Sequence, residues 1–166
     1  MNIRRAKQWD LPIIAAVQTE SWRDAYSDVL PEKYLADQIA EDINRHWNEV
    51  GIKPDDVVLV AEDDEIIGFI AVWCRPEPFI DNLHVKPSKR SKRVGSTLMM
   101  SAAQQLIQQG HKTAYLWVVE SNERAIRLYE RLGGVRTGRA LKNLFGHDVP
   151  NVKIEWSDIS VLCKNG

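Results

Sequence analysis

Hydrophobic positions recur along the chain with a helical period first and a strand period later. After Asp10, and again after Pro31, apolar side chains follow one another at intervals of three or four, which predicts two helices separated by a break at residues 26–30. The period then shortens. The apolar, β-branched runs at 57–61 and 66–73 are joined by an acidic turn, a pattern typical of a β-hairpin.

The rest of the pattern alternates between strands and helices. Predicted strands lie at 3–6, 79–85, 113–119, 135–141 and 152–156, and predicted helices at 94–106 and 122–132. Gly133 and Gly134 end the last of these helices, and the segment 159–163 is expected to extend the last strand. The order βααβββαβαββ indicates one domain over residues 1–166, of α/β class with an α+β mixed sheet.

Composition and charge exclude several classes of protein. The 166 residues hold 22 Lys and Arg against 23 Asp and Glu, and this balance disfavours a general nucleic-acid binder. No apolar run approaches the ~20 residues of a membrane span, and the charged N-terminus is unlike a signal peptide, so we expect a cytoplasmic protein without a membrane partner. Cys74 and Cys163 are then expected to be reduced thiols, and the scattered histidines predict no metal site.

One segment concentrates positive charge. Lys86–Arg93 reads KPSKRSKR and lies between the strand that ends at Val85 and the helix that contains Leu98. A helix start carries unpaired N–H groups and the positive end of the helix dipole, and Gly95 lets a ligand approach the backbone, so this turn is suited to binding phosphates. A solvated basic turn is the alternative. Neither a Walker sequence nor a G-x-G-x-x-G fingerprint occurs, which disfavours those nucleotide sites.

Three segments resemble one family. Arg90–Gly95 matches the turn pattern Q/R-x-x-G-x-G/A at its first and last positions, with Arg93 in place of the middle glycine. Residues 79–87 are similar to the family's fourth strand, and residues 116–134 are similar to its fifth strand and following helix. On these segments the chain is identified as a member of the GNAT superfamily of acetyl-CoA-dependent N-acetyltransferases. The resemblance implies a central, mostly antiparallel sheet with flanking helices, whose fourth and fifth strands splay apart.

The resemblance also implies an acetyl-CoA site between those two strands. The residues that would hold the co-substrate are Leu83, Val85, Arg90, Ser91, Lys92, Arg93, Val94, Gly95, Ser96 and Asn122. The backbone N–H of Leu83 is the candidate for polarising the thioester carbonyl. We expect Arg93 to lie in the first turn of a helix with a negative φ, where a residue other than glycine keeps the same backbone path.

Acetyl transfer to an amine calls for a proton acceptor and a proton donor. Tyr129 matches the family's general acid, with packing in the core as its alternative role. Phe79 stands where many members have a glutamate, so Asp81, two residues further on, is the first candidate for the base. A structural role for this carboxylate, or proton removal by water alone, stays open. Glu120 and His84 are weaker candidates, and His84 faces away from Asp81 unless the strand contains a bulge.

The N-terminal helices shape the acceptor site in this family. Trp22 and Tyr26, four residues apart on one helix face, are candidate acceptor-binding residues together with Trp73 and Asp81 on the strands. Core packing is the alternative for the tryptophans. Trp117, on a neighbouring strand, has the same two alternatives.

The implied function is transfer of an acetyl group to the primary amine of a small molecule, by direct attack in a ternary complex, since neither cysteine belongs to a Cys-His arrangement. Asp24 and Asp28 are candidates for attracting a cationic amine. The alternatives are a protein or peptide acetyltransferase, which needs an open groove, and a non-catalytic acyl-CoA-binding regulator, which Arg93 and Phe79 favour. Whether the chain forms a homodimer stays open.

Overall fold

A seven-stranded mixed sheet forms the centre of the computed structural model, which describes residues 1–90 and 92–164. The strands are β1 (Asn2–Arg5), β2 (Val57–Glu62), β3 (Ile66–Cys74), β4 (Pro78–Val85), β5 (Ala114–Val119), β6 (Val135–Leu144) and β7 (His147–Trp156). The helices are α1 (Leu11–Ala25), α2 (Ile39–Glu49), α3 (Val94–Gln108), α4 (Glu123–Arg131) and α5 (Val161–Lys164). The predicted order of elements is confirmed as far as β7.

The sheet has one parallel neighbour pair. Its strand order is β1-β2-β3-β4-β5-β7-β6, and every neighbouring pair is antiparallel except β4 and β5. These two strands share the pairing of Phe79 with Tyr115, whose rings stack with their centroids 5.0 Å apart. Among the described residues no second pairing joins them, so they separate towards their C-terminal ends. The predicted mixed sheet with splayed fourth and fifth strands is confirmed.

Helices cover both faces of the sheet because its central strands are apolar on both. Val57 and Leu59 of β2 belong to the core under α3, α4 and α5, whereas Val58 and Val60 belong to the core under α1 and α2. This is the alternation that a strand buried on both sides requires. In the part of the chain that the structure describes, no helix is long and apolar enough to cross a membrane.

The C-terminal segment differs from its prediction. Residues 159–163 were expected to extend β7, but the chain turns after β7 and forms the short helix α5. The Asp158 carboxylate accepts a hydrogen bond from the N–H of Ser160 at 3.0 Å, which stabilises the turn. Ile159 and Leu162 are buried against the core of α3, so their apolar pattern reflects packing against that helix rather than a strand.

Asp56 anchors the start of β2 to the end of β3. Its buried carboxylate accepts hydrogen bonds from the Arg75 guanidinium at 2.8 Å and from the N–H groups of Lys53 and Cys74 at 2.9 Å each. Burial by itself would raise the pKa of this carboxyl group. The three donors outweigh burial and hold the pKa below its usual range.

Asp56→Ala is expected to lower the free energy of unfolding by about 2–4 kcal/mol, because two N–H groups and Arg75 lose their acceptor. Urea unfolding at neutral pH measures this effect. Since folding lowers the pKa of Asp56, its stabilisation is complete above the pKa of the unfolded carboxyl and is lost as the pH falls through the lower value of the folded state. The exposed neighbour Asp55 gives the control, and Asp55→Ala is expected to change stability by less than about 0.5 kcal/mol. Equal losses in the two variants would contradict the anchoring role.

Candidate active site

Two cavities lie beside the gap where β4 and β5 separate. The first, of about 410 Å³, is lined by the C-terminal part of α1, the end of β4, the start of α3 and the length of α4. The second, of about 530 Å³, is lined by α1, α2, β4, β5 and the hairpin that joins β6 to β7. Tyr26 and His84 line both cavities, so the two cavities meet at these side chains.

At the end of β4, some backbone N–H and C=O groups point into the gap between β4 and β5. The N–H of Lys86 donates to the carbonyl of Ile67 on β3 at 2.8 Å. Backbone groups alternate in direction along an antiparallel pair, and the register is continuous here. The N–H and C=O groups of Leu83 and Val85 therefore point away from β3. Both residues line the first cavity, as their predicted role requires.

Arg93 has a left-handed backbone, with φ 60° and ψ 19°, immediately before the first turn of α3. The prediction of a negative φ is wrong, because the residue precedes the helix instead of lying within it. A side chain in this conformation is strained, whereas glycine adopts it freely. Gly95 has an ordinary helical backbone. A Cβ atom at this position would lie 3.3 Å from Cδ2 of Leu128, so glycine avoids a tight contact with that side chain.

Arginine side chains surround the first cavity. Arg90 and Arg93 come from the predicted basic turn, and Arg124, Arg127 and Arg131 come from α4. The three on α4 are spaced three and four residues apart, which places them on one helix face. The sequence contains this spacing, but an interpretation centred on the continuous basic run missed it. The first cavity therefore has more positive charge than the turn alone supplies.

The remaining predicted co-substrate residues divide into two groups. Those that line the first cavity are Val94, Gly95, Ser96 and Asn122. Lys92 is exposed and does not belong to the lining, and Ser91 lies outside the described residues.

Asp24 has a different place from the one expected. Its carboxylate pairs with Arg90 and lies 3.8 Å from the Arg124 guanidinium, beside the first cavity. The hydrogen bond from Arg90 holds the pKa of Asp24 below its usual range. Asp28 lines neither cavity. Neither carboxylate is therefore placed to attract an amine into the second cavity, and Asp24 instead orients two arginines.

Two buried tyrosines lie near the junction. Tyr129 lines the first cavity from α4, and Tyr26 follows the end of α1. Burial, with a smaller effect of Tyr26, raises the pKa of Tyr129 above its usual value. Burial also raises the pKa of Tyr26 to about 12, although a hydrogen bond from Asn122 acts in the opposite direction. Both phenols stay protonated at neutral pH, so each remains a hydrogen-bond donor.

His84 is held by two residues of α1. The Ser21 hydroxyl lies 2.9 Å from Nδ1, and the Trp22 indole N–H donates to Nε2 at 3.4 Å. Because an indole N–H only donates, Nε2 is the acceptor, and the proton of the neutral ring belongs on Nδ1. Burial, with a smaller effect of the Arg90 charge, lowers the pKa of His84 to about 3. The ring is therefore neutral at physiological pH.

A β-bulge at Asp81 decides which side chains of β4 share a cavity. The pairing with β3 shifts between Ala71 and Val72, so Asn82 pairs with Ala71 and Ile80 pairs with Val72, which leaves Asp81 as the extra residue. In a regular strand Asp81 and His84 would face opposite sides. With the bulge, both line the second cavity.

The Asp81 carboxylate is fixed by its neighbours. Its Oδ2 accepts hydrogen bonds from the Trp73 indole N–H at 2.9 Å and from the Asn82 side chain at 3.3 Å. Trp73 itself is buried and does not belong to the lining of the second cavity, although it was a candidate acceptor-binding residue. It contacts Asp81 from the side of the protein core. Glu120, the other acidic candidate, pairs with Arg139 at 2.7 Å and lines neither cavity.

Several residues of the second cavity were missed or left undecided by the sequence. Trp22, Tyr26 and Asp81 line it as predicted, and Trp117 belongs to the cleft. The missed residues include Phe79, Tyr115, Lys142, Asn143, Leu144 and Phe145. The last four lie at the end of the β6–β7 hairpin. They were missed because the predicted strand ends at residue 141, whereas β6 continues to Leu144. Among the described residues, no group of three or more His, Cys, Asp or Glu side chains is placed to hold a metal ion.

Comparison with known proteins decides the family. Residues 16–134 match the model of the acetyltransferase (GNAT) family. An uncharacterized N-acetyltransferase of Archaeoglobus fulgidus is 31% identical over 140 residues, which cover 78% of this chain and 89% of that protein. The chain is a member of the GNAT acetyltransferase family. The uncharacterized N-acetyltransferase YuaI of Bacillus subtilis is 25% identical over an alignment of 170 positions that covers 98% of this chain and 96% of that protein.

Solved GNAT structures share the fold of this acetyltransferase. The PaiA N-acetyltransferase of Thermoplasma acidophilum, solved in complex with coenzyme A, matches with a TM-score of 0.70 and 23% identity, covering 93% of this chain and 98% of that one. The GNAT family match stops at residue 134. The hairpin that completes the second cavity therefore lies beyond the region that the family model matches.

Arg93→Gly is expected to raise the free energy of unfolding by about 1 kcal/mol relative to Arg93→Ala. Both variants remove the charge, but only glycine relieves the left-handed backbone strain, which costs an L-residue about 1–2 kcal/mol. Urea unfolding of the two variants and the parent chain measures the difference. An alanine variant as stable as the glycine variant would contradict a left-handed backbone at this position.

Proposed function

We propose that the chain transfers an acetyl group from acetyl-CoA to the primary amine of a small molecule, by direct attack of the amine on the thioester. The observation that carries this proposal is the meeting of the two cavities at Tyr26 and His84. A co-substrate in the first cavity and an acceptor in the second would approach each other there. Direct transfer requires such a junction, because the two reactants must be held in contact.

The first cavity offers the groups that acetyl-CoA requires. Its arginines and the start of α3 favour phosphates, and the outward backbone groups of Leu83 and Val85 are placed to pair with an amide arm as an added strand. The N–H of Leu83 is our candidate for stabilising the charge that develops on the carbonyl oxygen. Acetyl-CoA supplies the activated thioester. The fold shared with a structure that contains coenzyme A supports this assignment.

Tyr129 is the proposed general acid. Its raised pKa keeps the phenol protonated, and it lines the first cavity close to the junction. A leaving CoA thiolate would take its proton from this hydroxyl group. Tyr26, near Tyr129, lies at the junction itself and is placed to orient the reacting groups.

Asp81 is the proposed base. It lies in the wall of the second cavity, and the bonds from Trp73 and Asn82 both fall on Oδ2, which leaves Oδ1 without a donor among the described residues. An incoming ammonium group would meet this carboxylate and lose its proton to it, directly or through water. His84 suits the role less well, because both of its ring nitrogens already have partners in Ser21 and Trp22.

The second cavity favours a small acceptor. Its volume of about 530 Å³ falls in the usual range of small-molecule sites, and six Phe, Tyr and Trp side chains contribute to its walls. Helix α1 and the β6–β7 hairpin both contribute to its walls, and the Trp22 and Phe145 rings approach each other to 5.7 Å. A protein acceptor would need an extended groove, for which these walls leave less room.

Thiol release from acetyl-CoA, measured across a panel of small amines, amino acids, aminoglycosides and peptides, tests this proposal. We expect turnover with at least one small amine and intersecting initial-rate plots, because both substrates bind before the transfer. Parallel plots would contradict direct transfer. Turnover with peptides alone would support a protein or peptide acceptor, and acetyl-CoA binding without any turnover would support a regulator.

Tyr129→Phe is expected to lower kcat about 10–100-fold, with little change in the KM for acetyl-CoA, since the ring stays and only the proton donor is lost. Steady-state kinetics on the best small amine measures both constants. Tyr34→Phe is the matched control, because that hydroxyl group binds Asp42 outside both cavities. An unchanged kcat in the Tyr129 variant would remove this residue from the acid role.

A further inference from the structure

The second cavity carries two opposite charges on different elements. Among the described residues in its lining, Asp81 of β4 is the carboxylate and Lys142 of β6 is the ammonium group. The two residues come from strands that are not neighbours in the sheet, and the Lys142 side chain reaches over Trp117 of β5, the strand beside β4. An acceptor that fills this cavity therefore meets a negative and a positive group.

Lys142 is held in place without a carboxylate partner. Its Nζ atom lies 3.9 Å from the centroid of the Trp117 ring, and no ion pair joins it to an acidic side chain in the described part of the chain. The neighbouring cations differ. Arg139 pairs with Glu120 at 2.7 Å, and Lys153 pairs with Glu155 at 3.0 Å. Lys142 thus keeps its positive charge available to a bound molecule.

The same contact disfavours an acceptor with several positive charges. The face of Trp117 would be a natural place for a substrate ammonium group, but the ammonium group of Lys142 already occupies it. A second ammonium group of a polyamine would then lie near the like charge of Lys142, which repels it. A carboxylate in that position would be attracted instead.

We infer that the acceptor is an amino acid, with its amine at Asp81 and its carboxylate at Lys142, and with an apolar or aromatic skeleton. This inference rests on the proposed function. Phe79 and Tyr115, stacked at 5.0 Å, and Phe145 supply apolar walls for such a skeleton.

Matched pairs of acceptors test the inference. Each pair has an amino acid and the amine that lacks its carboxylate, namely phenylalanine with phenethylamine, leucine with isopentylamine, and 6-aminohexanoate with pentylamine; spermidine is added as a polycation. We expect kcat/KM to be at least 10-fold higher for the amino acid in one or more pairs. Spermidine is expected to be the poorer substrate by a similar factor.

The variant Lys142→Gln shows whether this preference comes from the cavity charge. It should lower kcat/KM for the preferred amino acid at least 10-fold and leave its amine partner within about 3-fold, whereas Lys142→Arg should keep the preference. Lys153→Gln, outside the cavity lining, is the matched control and should change neither substrate.

Two results separate this inference from the function on which it rests. If the amines or spermidine are acetylated as well as the amino acids, the amino-acid inference is overturned while the acetyltransferase function stands. If no amine gives turnover, the proposed function fails. Calorimetric titration of phenylalanine, leucine and 6-aminohexanoate in the presence of CoA then tests the binding site alone, and the absence of Lys142-dependent binding of all three overturns the inference as well.

Discussion

The separation of β4 from β5 is the constraint on which the rest of the site depends. One pairing, Phe79 with Tyr115, joins the strands before they part. Backbone N–H and C=O groups inside a sheet normally find partners, because an unpaired buried group costs free energy. The groups of Leu83 and Val85 are thereby left for a ligand, at the point where the strand leads into the basic turn and α3. The gap in the sheet is thus where we propose that the co-substrate binds, with its phosphates beside the arginines of the first cavity.

The bulge at Asp81 then determines which side chains of β4 line each of the two cavities. Side chains alternate along a strand, so a regular β4 would send Asp81 and His84 to opposite faces. One extra residue places both in the second cavity, while His84 also reaches the first. Charge follows the same division. Arginines surround the first cavity, whereas the described lining of the second has one carboxylate and one ammonium group. Electrostatic attraction would therefore favour the phosphate-bearing co-substrate in the first cavity and a small zwitterion in the second.

Much of the fold could be predicted from hydrophobic period alone, because the central strands β2 and β3 are buried on both faces and the helices must cover them. The first cavity was also predicted in outline, since a basic turn before a helix is local in sequence. The second cavity was not, because its walls come from α1, β5 and the β6–β7 hairpin, whose meeting depends on the strand order. A short apolar run such as residues 159–163 has no period long enough to distinguish a strand from a buried helical turn. The bulge leaves no signal in residue type.

Two residues other than glycine have positive φ among the described residues, Arg93 at 60° and Phe145 at 47°. Each lines one of the cavities. Phe145 is followed by Gly146 with φ 91°, so the β6–β7 hairpin has the two left-handed residues of a type I′ turn, where Asn-Gly is the favoured pair. The turn type alone would favour asparagine or glycine at residues 145 and 146. The strain is retained where the side chain reaches a cavity, which is the pattern expected when ligand contacts outweigh backbone preference. At Arg93 and Phe145, backbone preference and the proposed contact with a substrate therefore favour different residue types. Arg93 lies beside the proposed co-substrate site, and Phe145 lies beside the proposed acceptor site.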